Sequence, residues 1–580
     1  MDDPRTERRL AAILAADVAG YSRLMSRDEE GTLQRLKGHL GELIEPHIAA
    51  HRGRIVKRTG DGLLVDFASA VEAVRCAVAI QAGMVERIRG APDEARIEFR
   101  IGINMGDIII EGGDIFGDGV NIAARLEALA EPGAIFVSRA VRDSVRDRLG
   151  VELEDLGEKP VKNIARPVRV FRIGQARSAH AAAPAVPDKP SIAVLPFANM
   201  SGDAEQEYFS DGISEDLITD LSKVQALFVI ARNSSFTYKG RSVKVQEIGR
   251  ELGVRFVLEG SIRKAGNRVR ITAQLVDAQS GGHLWADRFD RELTDIFATQ
   301  DEVVHKIVEA LAVKLSRVEE QDLKRGGTKN LEAYEAWLRA RQLLGKGTRE
   351  TIAEAKALHR RALELDPAFC SPHVGLAFAA VSDYVNAWGP DPQNALDEGE
   401  RWARRAIELD ERQPGGHVAM GNVRVWQRRH DDALAELARA VELDGNYAQG
   451  HALLGMALMY SARHKEALDS LAVAMRLDPL YPNILLHLAA QAHFGLGQDE
   501  LAAGHLVERI ARMPNTDASR MLLASAYGHL GRLEEARAAW AGLLEVNPGF
   551  SVTQREGVLP YKDARDFQRI VEGLAKAGLQ

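Results

Sequence analysis

The chain has 580 residues, 46% hydrophobic and 27% charged, with a formal net charge of −8. That length implies several domains, and a mildly acidic balance argues against nucleic acid as the main partner. Two cysteines, Cys76 and Cys370, cannot build a disulfide framework or a thiolate metal cluster. The opening MDDPRTERRLAAILAADVAG places acidic residues ahead of its apolar run and Asp17 inside it, unlike a secretory signal. No window approaches the ~18 uninterrupted apolar residues of a spanning helix. A reducing, cytoplasmic protein without a membrane span is the expectation.

In chain order, residues 1–173 alternate strand and helix patterns, as a mixed α/β domain does. ILAADVAGY reads as a buried strand ending in a glycine turn, and residues 28–50 carry helical periodicity. GRIVKRTGDGLLVDFA reads as a hairpin with Thr-Gly-Asp-Gly at its tip. Residues 69–89 read as a helix and IEFRIGINMGDIIIEG as a second strand pair. Residues 174–188 fall in a small, Ala- and Pro-rich stretch that reads as a linker. Residues 189–316 resume with strands at SIAVLPF, FVIARNS, the long RFVLEGSIRKAGNRVRITAQLVDAQSG and HLWADRFDR, and close on an amphipathic helix, giving a second, smaller α/β domain.

From residue 329 to 550 the pattern is helical and periodic. Asp444 and Asp478 are 34 residues apart, and Asn547 stands 69 beyond Asp478. Gly421, Gly455, Ala489 and Ala524 keep step with them, as do Ala433, Ala467 and Ala536. Thirty-four residues is the tetratricopeptide period, and small residues recur where two helices approach closely. Asp366 and Asp410 lie 44 apart, so the first repeat carries an insertion near AWGPDPQNAL. Five or six repeats are expected, as an all-α superhelix with a helical tail over 551–580. Such arrays bind a protein or peptide in a concave groove, although dimerisation or packing on the rest of the chain are the bland alternatives. Histidines 359, 373, 417, 430, 451, 464, 487, 493, 505 and 529 have no metal spacing and read as ordinary repeat residues. The acidic stretch near 203–220 reads as a solvated helix start, and Trp285 and His283 as a packed and an exposed strand residue.

The candidate chemistry lies in the first domain. Asp17 ends the first strand and Asp61 sits at the hairpin tip, so two hard carboxylates on adjacent strand ends can share divalent cations. The turn after Asp17 offers backbone N–H groups to phosphate. Taken alone, strand-end aspartates serve as turn or cap residues just as often. Lys57, four residues before Asp61, and the series Asp114, Asn121, Arg125 add to the pattern; Asn121 and Arg125 share one helical face.

With ADVAGYS, KRTGDGLLVDF, RIGINMGDI, DIFGDGVNIAARLE and EKPVKNIARPVRVFRI in place, residues 8–173 resemble the catalytic domain of class III nucleotidyl cyclases. The resemblance implies a ferredoxin-like βαββαβ fold and a phosphorus–oxygen lyase that makes 3′,5′-cyclic AMP and pyrophosphate from ATP. It implies that Asp17, Asp61 and the Val18 carbonyl hold two Mg2+ per site, with Mn2+ as a substitute. Asn121 would position the ribose, Arg125 the α-phosphate, and Lys162 the terminal phosphate. Lys57, which only donates, and Asp114, which only accepts when ionised, suit the edge of adenine; guanylate members typically carry Glu and Cys there. Active sites in this family lie between two catalytic domains, so a homodimer is implied. Residues 189–316 resemble a TolB-like domain. The rivals are a repeat scaffold with a weakly active nucleotide-binding domain, and a guanylate cyclase. GGDIF at 112–116 has one mismatch to the diguanylate cyclase signature, where Ile115 replaces an acidic residue.

Overall fold

A computed structural model describes residues 7–88, 96–111, 114–145, 153–159, 167–173, 186–203, 206–241, 243–324, 327–388 and 391–579. The chain divides into two compact units, Met1–His180 and Ala181–Gln580. Most of the expected linker, and Lys162, lie outside the described residues. No described helix is long and apolar enough to cross a membrane.

In the first unit β1 (Glu7–Val18) leads into α1 (Tyr21–Arg27), α2 (Glu29–His39) and α3 (Glu45–Ala50). The widened π turn Leu40–Ile44 joins the last two just ahead of Pro46, relieving the clash that a proline ring makes with the preceding turn. The hairpin β2 (Arg54–Thr59) and β3 (Gly62–Phe67) follows, then α4 (Ala70–Ile88), β4 (Phe99–Glu111), β5 (Asp114–Phe116), α5 (Asp118–Leu129), β6 (Ile135–Ser138), α6 (Arg139–Val145), β7 (Leu153–Lys159) and β8 (Val168–Ile173). One sheet runs β2-β3-β1-β4-β6-β8-β7, with β5 paired to β4. β1 is antiparallel to both β3 and β4, so the expected βαββαβ order is present, extended at one edge.

β1 is buried on both faces, which explains its near-continuous apolar run. Ala12, Leu14, Ala16 and Val18 pack with α1–α4, while Ala11, Ile13 and Ala15 pack with Ile108, Ile115 and Ala123. Within IEFRIGINMGDIIIEG, Phe99–Glu111 is one long strand, β4, and not a strand pair. Its glycines accommodate α5 and do not turn the chain. A Cβ on Gly102 would lie 2.2 Å from the Glu127 nitrogen, and one on Gly106 would lie 3.3 Å from Gly119 Cα. Asn104 Nδ2 donates to the Gly119 carbonyl at 3.0 Å.

In the second unit β9 (Ser191–Val194), β10 (Ala198–Asn199), α7 (Glu207–Ser222), β11 (Phe228–Val229), α8 (Arg232–Phe236), α9 (Val245–Leu252), β12 (Phe256–Ala265), β13 (Arg268–Asp277), β14 (His283–Glu292), α10 (Ile296–Ala310) and α11 (Arg317–Lys324) form an α/β layer. Its sheet order is β11-β9-β12-β13-β14, with β10 on β12. Antiparallel helix pairs follow: α12 (Leu331–Leu344) with α13 (Arg349–Leu365), α14 (Cys370–Val385) with α15 (Pro392–Leu409), α16 (Pro414–Trp426) with α17 (His430–Leu443), α18 (Ala448–Tyr460) with α19 (His464–Leu477), α20 (Ile484–Gly495) with α21 (Asp499–Arg512), and α22 (Asp517–His529) with α23 (Leu533–Val546). The tail holds α24 (Val552–Val558) and α25 (Ala564–Lys576).

The small residues act as their spacing predicts. A Cβ on Gly421 would meet Leu437 at 2.4 Å, and one on Gly455 would meet Leu471 at 2.7 Å. Successive first helices pack on one another more closely than successive second helices do, so the array curves with its first helices inside.

The turn aspartates do more than punctuate. Ser222 donates to Asp444 at 2.6 Å, Asn233 and Ser234 donate to Asp478, and Thr328 donates to Asp366 at 2.5 Å. Arg412 makes two hydrogen bonds to Asp322, at 2.8 and 2.5 Å. Asn446 Nδ2 reaches the carbonyls of Ser222 and Leu227. The α/β layer and the helix pairs are thus joined by a polar seam. FVIARNS shows the consequence: only Phe228–Val229 is strand, and Arg232–Phe236 coils so that Asn233 and Ser234 meet Asp478, a tertiary override of strand propensity.

Candidate active site

Asp17 is the penultimate residue of β1, opposite Gly62 of β3 and Arg100 of β4. The β2–β3 hairpin closes on the Thr59–Gly62 pair, leaving Gly60 and Asp61 as its tip. Gly60 has φ +64°, a left-handed turn that glycine adopts without strain. Register and turn together set Asp61 beside Asp17. Burial, and then the charge of Asp17, push the Asp61 carboxyl above its ordinary range.

Two neighbours complete this cluster. Arg100 Nη2 donates to Asp17 at 2.7 Å and lies 3.2 Å from Glu127 Oε1. Glu127 is pushed up to about 7, chiefly by burial, with Asp17 and Asp61 adding and Arg100 opposing. Neither residue stood out in the sequence. An arginine inside the apolar alternation of β4 is a signal, but its meaning depends on the β1–β4 register. Hard oxygens from Asp17 and Asp61, set side by side, fit a hard divalent cation. Among the described residues no group of three or more His, Cys, Asp or Glu makes a larger metal site.

The second group lies on β2, β5 and α5. The β2–β3 register shifts between Ile55 and Lys57, a bulge that re-aims the strand and pairs Lys57 with Leu64. Lys57 Nζ stands 3.4 Å from Asp114 Oδ2. The Ile115 backbone N–H donates to Asp114 Oδ1 at 2.9 Å, orienting that carboxylate. Asn121 is exposed and Arg125 half-buried, and neither side chain has a hydrogen-bonding or ionic partner among the described residues.

α5 turns its other side to the sheet. Gly119, Ala123 and Glu127 face β4. At 3.6 residues per turn Arg125 and Glu127 are about 200° apart around the axis. Within one unit, therefore, Asn121 and Arg125 point away from the carboxylates that Glu127 faces. Gly112 and Gly113 of the GGDIF stretch lie outside the described residues.

Elsewhere the acidic stretch of α7 is internally paired: Asp211 with Lys239 at 2.6 Å, Glu215 with Arg232 at 2.8 Å, Asp216 with Gln300 at 3.1 Å and Asp220 with Lys223 at 2.7 Å. His283 is exposed and Trp285 half-buried.

Residues 5–174 match the family model described as the adenylate and guanylate cyclase catalytic domain. A Rhizobium meliloti (strain 1021) protein named "Putative adenylate cyclase 3" is 50% identical over 434 residues, covering 73% of this chain and 74% of its own length. The chain belongs to the adenylate and guanylate cyclase family. The aligned length carries this cyclase's likeness to that relative well beyond the catalytic domain. A Streptomyces coelicolor protein named "Adenylate cyclase" is 35% identical over 151 residues, 25% of this chain and 36% of its own. A solved structure, the adenylate/guanylate cyclase/hydrolase from Silicibacter pomeroyi, is 56% identical, covers 29% of this chain and 98% of its own, and has a TM-score of 0.28. Residues 188–308 of this cyclase match the model described as the second domain of HilA/YgeH-like transcriptional regulators, a different name from the TolB-like one that the sequence suggested.

Proposed function

We propose that the chain is an adenylate cyclase, converting ATP to 3′,5′-cyclic AMP and pyrophosphate at two equivalent sites in a head-to-tail homodimer. The observation that carries this reading is the division of α5: both residue groups are complete in one unit, yet Asn121 and Arg125 face away from Asp17 and Asp61. A second copy supplies the missing half to each.

In that arrangement Asp17, Asp61 and the Val18 carbonyl of one copy would hold two Mg2+ or Mn2+. Bound there, the ions supply positive charge that acidifies the ribose 3′-hydroxyl and neutralises the triphosphate. Asn121 of the second copy holds the ribose so that its 3′-oxygen faces the α-phosphorus. Arg125 balances the charge that grows on the α-phosphate as the bond to pyrophosphate breaks, a fixed countercharge worth about 3 kcal/mol in comparable sites. Lys162 remains the candidate for the terminal phosphate.

Lys57 and Asp114 read the base. With one donor and one acceptor 3.4 Å apart, the pair matches the N1 acceptor and N6 donor of adenine. Guanine presents the reverse and would leave buried polar groups unpaired, a heavily penalised outcome. The second unit, a TolB-like layer and tetratricopeptide repeats in this reading, is the regulatory half and takes a protein or peptide partner.

The test is a mixture. Asp61→Ala and Lys57→Ala are each expected to be inactive with ATP, while their equimolar mixture regains a fraction of wild-type cyclic AMP production through the mixed dimer. Failure of the mixture, with both variants folded and dimeric, sinks the shared site. Faster turnover of GTP than of ATP by the wild type sinks the adenylate assignment alone.

A further inference from the structure

After α23 the chain repeats the turn that follows α13, α15 and α17, here Asn547-Pro548-Gly549-Phe550, and begins another first helix, α24. Pro560 stops that helix after Val558, and the chain doubles back. α25 then does not continue the stack; it packs on α22, the first helix of the last complete pair.

The path of this segment resembles that of a bound peptide more than that of a terminal cap. A cap touches only the last repeat. Residues 557–573 instead meet four consecutive pairs, along the first helices and the turns that lead into the second. Arg428, following α16, donates to the Gly557 carbonyl at 3.0 Å, and Lys562 pairs with Asp431 of α17 at 2.7 Å. The Lys562 N–H donates to the Tyr460 carbonyl of α18 at 2.9 Å. Tyr561 packs edge-on against Tyr460, with centroids 5.1 Å apart, and accepts from Gln491 Nε2 of α20 at 2.9 Å. Arg569 donates to the Phe494 carbonyl and makes two bonds of 2.6 Å to Asp499. On α22, Ser525 and His529 bond the carbonyls of Ile570 and Arg569. Phe567, Ile570 and Leu574 bury one stripe of α25, the i, i+3, i+7 pattern of a helix laid in a groove.

We propose that the first helices of the repeat array, with the turns into their second helices, form a binding site for an amphipathic helix that carries spaced basic residues and is preceded by an aromatic anchor, and that residues 557–579 are its resident, displaceable occupant. Asp431 and Asp499 take the bases, and Tyr460 with Gln491 takes the aromatic ring. A partner of this chemistry binds by displacing the tail. This deepens the assignment of a peptide partner to the repeats and is independent of the cyclase reading, because its test needs no nucleotide.

The probe is a fluorescent synthetic peptide of residues 551–579, titrated onto the full chain. The wild-type chain excludes it, since the tethered tail is present at an effective concentration on the order of millimolar. The full-length variant Tyr561→Ala/Arg569→Glu, whose own tail is weakened, takes up the wild-type peptide at least about 10-fold more tightly. A peptide carrying the same two changes does not bind. Hydrogen exchange on the same variant reads the tail directly. Protection lost over 559–579 but kept in α18–α22 supports displacement. Protection lost throughout, or unchanged everywhere, overturns the proposal by making the tail an integral part of the array. A released tail with no peptide uptake overturns it equally.

Discussion

Asp17 and Asp61 in the first unit and Asp444 and Asp478 in the second all sit at the ends of regular elements, and in sequence they look alike. Their surroundings differ in sign. Asp444 and Asp478 are raised by burial, but their neighbours oppose that shift: Ser222, the Asn446 N–H and Lys223 for the first, Ser234 and Asn233 for the second. Asp61 is also raised by burial, and its neighbour Asp17 adds to the shift. A buried carboxylate whose lone pairs are met by donors from its own chain is structural. One whose nearest partner is another carboxylate calls for a cation from outside, as the proposed metal site supplies.

The largest effects separate these two roles. Asp61→Ala is expected to cut cyclic AMP production by about 10³-fold, while the folded chain is kept or slightly stabilised by relief of like charge. Divalent cation should raise the melting of the first unit in the wild type and not in this variant. Asp444→Ala should do the opposite. It removes the acceptor of Ser222 and of the Asn446 N–H at a buried seam and costs the second unit about 2 kcal/mol, with no loss of divalent-cation binding by the first. All six tryptophans lie beyond residue 180, so their emission under urea reports the second unit alone. A normal urea midpoint in Asp444→Ala would break the contrast.

Sequence made the candidate site legible because its pieces are local. The hairpin tip, the strand-end aspartate and the i, i+4 pair on α5 are each set by a few neighbouring residues. The repeats were legible because their contacts recur at a fixed period. What stayed hidden depends on register or on distance along the chain. Arg100 gains its meaning only opposite Asp17. The glycines of β4 looked like turn signals because the helix they accommodate follows later in the chain. Asp444 meets Ser222 across 222 residues, and serine and aspartate near helix ends look like ordinary caps. The return of the tail was invisible for the same reason, although Pro560 marked where the last helix had to stop.

Acid sharpens the comparison further. His359, 1% exposed and with neither ring nitrogen bonded, is lowered to about 3 by burial and then by Arg341; His487 is likewise lowered to about 3, by burial first. Between pH 6.5 and 3 the unfolded chain binds protons that these folded sites refuse, so the second unit loses stability as pH falls through that window. At pH 5 one such histidine accounts for about 2 kcal/mol. His359 lies over Gly375 much as Leu437 lies over Gly421, so His359→Leu has a precedent within the array. It should raise the urea midpoint read by tryptophan at pH 5 and shrink the drop from pH 7. An unchanged drop would mean that another group carries the acid sensitivity.

Glu127 gives the first unit a smaller dependence of opposite sign. Its ordinary value is 4.5 and its folded value about 7. From pH 4.5 to 7 the folded site holds a proton that the unfolded chain has released, so the first unit loses stability as pH rises through that window and regains it on acidification. Glu127→Gln keeps the shape and removes the titration. The calorimetric transition that leaves tryptophan emission unchanged should move down between pH 5 and pH 7 in the wild type and stay level in Glu127→Gln. The cause is burial first and then the charge of Asp17, so if the two proteins shift in parallel, Glu127 is neither as dry nor as close to Asp17 in influence as the packing of α5 on β4 implies.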